Sequence, residues 1–171
     1  MEDEIINKVA NSGLVTIDLE EFYLKGERHL FDIKPLLFHE LMLKEKDFRE
    51  SLKQYDWNKY KNAFVAITCS NEAIIPTWAY MLIALELQGI AKKVVFGSLE
   101  TLEAILFDEE LKKIDFTSFS DKRIVIKGCG NLPISTHAYI NLTSLLKPFA
   151  KSIMFGEPCS TVPLFKAKKI V

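Results

Sequence analysis

From residue 63 onward the chain repeats one pattern of apolar runs closed by turn residues. Phe64-Val65-Ala66-Ile67-Thr68 stops at Cys69-Ser70, and Val94-Val95-Phe96 stops at Gly97-Ser98. Ile124-Val125-Ile126 stops at Gly128-Cys129-Gly130, and Ser152-Ile153-Met154-Phe155 stops at Gly156-Glu157. Near-continuous β-branched runs of this length read as strands buried on both faces. Their ends, at residues 69, 97, 129 and 156, are far enough apart to admit one crossover helix each. The intervening segments supply those helices. Pro76 suits the first turn of a helix running to Gln88, with Gly89 placed to end it. Leu99, Leu102, Ile105 and Leu106 form a stripe after Ser98, and Tyr139, Leu142, Leu145 and Leu146 form another after Ser135 and Thr136, closed by Pro148. A short strand from Val162 to Phe165 is expected to turn back along the sheet edge.

Strands alternating with helices predict an α/β domain over residues 63–171, a three-layer, Rossmann-like parallel sheet with helices on both faces. Residues 1–62 do not share the repeat and are expected to form a small β-rich α+β unit packed on it. Leu14 to Ile17, Leu30 to Ile33 and Leu41 to Leu43 are its candidate strands, and Glu45 to Tyr55 its amphipathic helix. No Gly/Ser-rich linker separates the two parts.

Composition narrows the class. Hydrophobic residues are 49% and charged residues 26% of the 171, the balance of a globular protein. Twenty-two Lys+Arg against 23 Asp+Glu remove the basic footprint of a duplex-binding protein, so no nucleic-acid partner is expected. The start, Met1-Glu2-Asp3-Glu4, is acidic where a secretory signal is basic. The most apolar stretch, Ala73 to Leu85, is too short to span a bilayer. The expectation is a soluble cytoplasmic protein with reduced thiols and no membrane partner.

The candidate chemistry lies at the strand ends. In open parallel sheets ligands bind beyond the carboxyl ends of the strands, and all three cysteines fall there: Cys69, Cys129 and Cys159. Three converging thiolates favour a soft or borderline cation, zinc foremost, with water, Glu157, Glu72 or a histidine as the fourth ligand. With water in that position the metal would be a Lewis acid or a source of hydroxide. Ser70, Gly130, Glu157, Ser160 and Thr161 flank the cysteines and are the candidate contacts of a small-molecule ligand. Two alternatives stand beside the metal reading: a non-metal ligand-binding or thiol-dependent enzyme using the same crevice, and a structural subunit without catalysis. Buried cysteines that merely close turns are the plain counterpart of all three. The histidines His29, His39 and His137 have no spacing that commits them to Cys159. The polar run from Asp18 to Arg28 could send one acid to the crevice or form a solvated loop. No G-x-G-x-x-G or P-loop motif is present.

The helix from Pro76 carries Trp78, Tyr80, Met81, Leu82, Ile83 and Leu85 with almost no polar face, which predicts burial all round, by the N-terminal half or in a homodimer. Six blocks resemble a bacterial family known as domain of unknown function 2480: Leu19-Glu20-Glu21-Phe22-Tyr23, Lys44-Glu45-Lys46-Asp47-Phe48-Arg49, Ala66-Ile67-Thr68-Cys69-Ser70, Ile75 to Met81, Lys127-Gly128-Cys129-Gly130, and Phe155 to Pro163. The resemblance implies no established activity, substrate or cofactor, and no residue inherits a role from it.

Overall fold

The computed structural model describes residues 13–128, 130–157 and 160–168. The described residues form a mixed α/β structure with four α-helices and two sheets of mostly parallel strands. The chain divides into two compact units: one holds the residues up to Tyr23 and those from Leu106 onward, the other Leu24–Ile105. The expected boundary at residue 62 falls inside the second unit, directly before its central strand.

In the second unit the strands β2 (Arg28–Asp32), β3 (Phe64–Thr68) and β4 (Lys93–Phe96) form a parallel sheet in the order β2-β3-β4. Helix α1 (Glu45–Gln54) links β2 to β3, and α2 (Thr77–Glu86) links β3 to β4. Val65 and Ile67 are alternate residues of β3 and so share one face. The core on that face gathers Phe31 from β2, Phe48 and Leu52 from α1, and Ala79, Ile83 and Leu87 from α2 and its end. Both helices therefore lie on the same face. Phe64 occupies the other face with Arg28, whose guanidinium stacks over its ring and bonds to Glu103 at 2.5 Å.

In the first unit β1 (Leu14–Ile17), β5 (Arg123–Ile126), β6 (Ser152–Glu157) and β7 (Ser160–Lys166) form a sheet in the order β1-β5-β6-β7. The first three are parallel, and β7 turns back antiparallel along β6. Helix α3 (Leu99–Leu111) crosses the boundary between the units and brings Phe107 and Leu111 to this core, while α4 (Thr136–Leu146) adds Ala138, Leu142 and Leu146.

These two units are copies of one module. Without a gap from Phe48 to Gly97, residues fifty-nine positions apart occupy the same place: Phe48 and Phe107, Leu52 and Leu111, Asp56 and Asp115, Ile67 and Ile126, Thr77 and Thr136, Ala79 and Ala138, Tyr80 and Tyr139, Leu87 and Leu146, Phe96 and Phe155, Gly97 and Gly156. The irregular backbone repeats too. Asp56 and Asp115 each cap a 3-10 turn by accepting the N–H two residues on, at 3.1 and 3.0 Å. Asn62 and Asp121 both take positive φ, 60° and 58°, and donate to the carbonyls of Ile90 and Phe149. The first strands match at a separation of fourteen, with Asp18 directly after β1 and Asp32 at the end of β2, each accepting an N–H two residues on at 3.0 Å. In chain order the second copy is thus inserted between β1 and β5 of the first.

Two expectations are corrected. Strands predicted to share one three-layer sheet are divided between two sheets, and within each copy the paired helices share a face instead of covering both. The segment Leu41 to Leu43 forms no strand; a single bridge joins Phe38 and Met42. Within one chain helix α2 leaves Met81 61% and Leu85 63% exposed, so the N-terminal half does not cover it all round. No helix among the described residues is long and apolar enough to cross a membrane.

Candidate functional site

The duplication yields two carboxyl edges, which have diverged. In the second unit Asp32 ends β2 and faces the chain leaving β3. Ser70 donates to it twice, from its N–H at 3.0 Å and from Oγ at 2.5 Å, and the Lys34 N–H adds a third bond. Burial pushes the Asp32 carboxyl up, but these bonds outweigh it and hold the group below its ordinary value. Ser70 is thereby committed to a turn. Cys69 carries a free, half-buried thiol packed against the core of its unit, close enough to Tyr80 that, after burial, it is the next cause of that phenol's raised pKa. The Asp32 carboxylate is thus satisfied within its own unit.

In the first unit Asp18 follows β1 and faces Lys127, the residue that leaves β5. Lys127 Nζ donates to Asp18 Oδ2 at 2.6 Å. That bond, with the attraction between the charges, holds the Asp18 carboxyl below and the Lys127 ammonium above their ordinary values. Glu157 and Glu20 add to the hold on the ammonium. Among the described residues, three carboxylates thus surround this ammonium, an excess of negative charge.

The glycines flanking Cys129 sit tight against neighbouring side chains. A Cβ on Gly128 would stand 2.8 Å from the Phe155 ring, and one on Gly130 would overlap the Glu20 carboxylate. Glu20 accepts the Leu132 N–H at 2.6 Å and so ties the loop after β5 to the turn after β1. Gly156 has φ 123°, and a Cβ there would meet the Ser160 carbonyl at 2.5 Å, so the β6–β7 hairpin needs glycine. Glu157 pairs with Ser160, and Gly156 with Thr161, across that hairpin. Glu157 Oε1 is buried and has no hydrogen-bond partner among the described residues.

Of the sequence-derived candidates, Gly130, Glu157, Ser160 and Thr161 belong to this edge, whereas Ser70 and Cys69 belong to the other. Cys129 and Cys159 lie outside the described residues. Among the described residues no group of three or more His, Cys, Asp or Glu is arranged to hold a metal ion. The histidines are engaged elsewhere: His29 with Glu27 at 3.0 Å, His137 with Asp108 at 2.9 Å, and His39 edge-on to Phe38. The acids of the run after β1 do reach a strand end, Asp18 and Glu20 both bonding to the chain beyond β5. Sequence reasoning does not single out Lys127, although a charged residue directly after the apolar run Ile124-Val125-Ile126 is a visible signal.

No curated protein and no solved structure matches this chain. The family described as a protein of unknown function (DUF2480) matches residues 3–167, nearly the whole length, and the chain belongs to that family.

Proposed function

We propose that this is a cytoplasmic metal-binding protein, zinc favoured, whose cation is held at the carboxyl edge of the β1-β5-β6-β7 sheet by Cys129, Cys159 and Glu157. The observation that carries the reading is Glu157 Oε1, a buried carboxylate oxygen without a donor among the described residues, two positions before Cys159. Leaving such an acceptor unsatisfied costs about 1–3 kcal/mol or more, and a cation removes that cost. Connectivity supports the pairing of the two thiols. Ile126 and Phe155 are register partners in adjacent parallel strands, so the chain runs on to Cys129 and to Cys159 from the same edge. The carboxylate excess around Lys127 favours a further positive charge. A water in the remaining position would make the metal a Lewis acid, and a fourth protein ligand would make it structural.

A second reading, a thiol-dependent enzyme or small-molecule binder, draws on Lys127 standing two residues before Cys129. A nearby ammonium lowers a thiol's pKa and raises its reactivity. Elemental analysis of untagged protein, with thiol titration before and after chelation, separates the two. About one zinc per chain is expected, lost in Cys129→Ser and Cys159→Ser, bound at least about tenfold more weakly in Glu157→Gln, and kept in Cys69→Ser. Loss in Cys69→Ser as well would replace this ligand set with a three-thiolate one. No metal, and thiols that react alike with and without chelator, would leave the thiol reading in its place.

A further inference from the structure

The duplication exposes a difference between the copies that points to a partner. In the first unit β6 is followed by β7, which pairs with it antiparallel along the edge beside the groove between β6 and α4. Phe155 of β6 stands opposite Val162 of β7, and Leu164 lines a groove together with Ile126, Tyr139, Ile140, Thr143 and Ser144. In the second unit the equivalent strand, β4, ends its sheet. The equivalent groove is present, lined by Ile67, Tyr80, Met81, Ala84 and Phe96, and no strand of its own sheet lies over it among the described residues. Phe96, the counterpart of Phe155, touches Tyr80 edge-on as Phe155 touches Tyr139, yet it is 67% exposed. Met81 and Leu85, one helical turn apart on α2, extend the same apolar strip.

We propose that β4 pairs antiparallel with β4 of a second copy, joining two three-stranded sheets into one of six strands. The occupant of this edge is inferred from the first copy, where an antiparallel strand carrying a β-branched residue opposite the phenylalanine covers it. β4 supplies that chemistry to itself. Gly97 donates to Ile67, so the polar backbone groups of Phe96 and Val94, one and three positions away, point outward. A twofold axis perpendicular to the sheet at Val95 sets Val94 opposite Phe96 of the second copy and Val95 opposite its own mate. The aromatic–β-branched pairing of Phe155 with Val162 is thereby reproduced twice. Lys93 falls opposite Gly97, so no like charges meet. The outer strand of the other sheet, β7, carries Pro163, a residue that discourages a further strand, whereas β4 has no proline.

Sedimentation velocity of the full chain over a concentration series tests this, together with amide hydrogen exchange at the two ends of the series. A dimer is expected, with the Val94 and Phe96 amides protected in it and losing protection on dilution. Phe96→Lys should weaken dimerisation by about tenfold or more. Val94→Pro, which removes an outward N–H and the valine set opposite Phe96, should do the same, each variant keeping the wild-type circular dichroism. Ile140→Lys, at the position in the first copy equivalent to Met81, should leave the dimer intact. A monomer at about 100 μM, well above the micromolar range in which a specific interface forms, would overturn the proposal. So would a dimer indifferent to Phe96→Lys, or one whose Val94 and Phe96 amides exchange as in the monomer. Protection of those amides in a monomer would assign the edge to another segment of the same chain and equally overturn it.

Discussion

Asp18 and Lys127 hold each other in opposite directions, and their titration has a readable sign. The Asp18 carboxyl is depressed in the folded state, so it contributes stability above its unfolded value near 3.8, a contribution lost as pH falls through the folded value. The Lys127 ammonium is raised, so its contribution is complete below 10.5 and disappears as pH rises through the folded value. The pair therefore stabilises across the interval between those limits. Lys127→Met should lower the melting temperature most near neutral pH and progressively less below about pH 4 and above about pH 10. A difference from wild type that is flat from about pH 3 to about pH 11 would mean that the ion pair contributes nothing beyond packing. Asp32 provides the contrast: its hydrogen-bond partners are a hydroxyl and backbone N–H groups, so only the acid limb should appear for it.

At the scale of elements, the duplication makes equivalent positions carry equivalent loads. Phe48 of α1 is 0% exposed and Phe107 of α3 is 2% exposed, and each fills the core of its own unit. Phe48→Ala and Phe107→Ala should each cost about 3–5 kcal/mol in urea titrations. A loss below about 1 kcal/mol at either position would contradict its burial. The elements are largely legible from the sequence: β3 to β6, α1, α2 and α4, and the strand that turns back as β7, all fall within a few residues of their expected positions. Hydrophobic period and caps are local properties, and both copies express them. The departure at Leu41 to Leu43 has an equally local cause. His39 and Glu40 turn the backbone to positive φ just before them, and the resulting tight turn leaves room for one bridge and not a ladder.

For the whole molecule, duplication of the fold did not duplicate the site. Position 129 in one copy corresponds to Ser70 in the other, and the hairpin that leads through Cys159 has no counterpart after β4 among the described residues. Under the proposed metal-binding reading, one metal per chain is expected, not two. Removing it with chelator should speed amide exchange in β5, β6 and β7 and leave β2 to β4 unchanged. Equal acceleration in both sheets would show that the cation is not confined to the first. Saturating metal at about a hundred times its dissociation constant would add about 2.7 kcal/mol of stability.

The fifty-nine-residue repeat is present in the sequence as Asp56 and Asp115, Thr77 and Thr136, Tyr80 and Tyr139, and Gly97 and Gly156, and a search for self-similarity at fixed offset reads it directly. Without that offset, the spacing of the apolar runs suggests one sheet, because periodicity reports that a strand is buried and not which strand it joins. Chain pattern alone determined the α/β class, the strand ends that carry the cysteines, and the glycines at their turns. These follow from local sterics and the period of side-chain burial. Strand partnership depends on contacts between residues far apart in the chain, so only the tertiary structure decided the rest. It divided the strands into two sheets, placed Cys69 and Ser70 after a strand of one and Glu157 at the end of a strand of the other, and joined Asp18 to Lys127 across 109 positions of sequence.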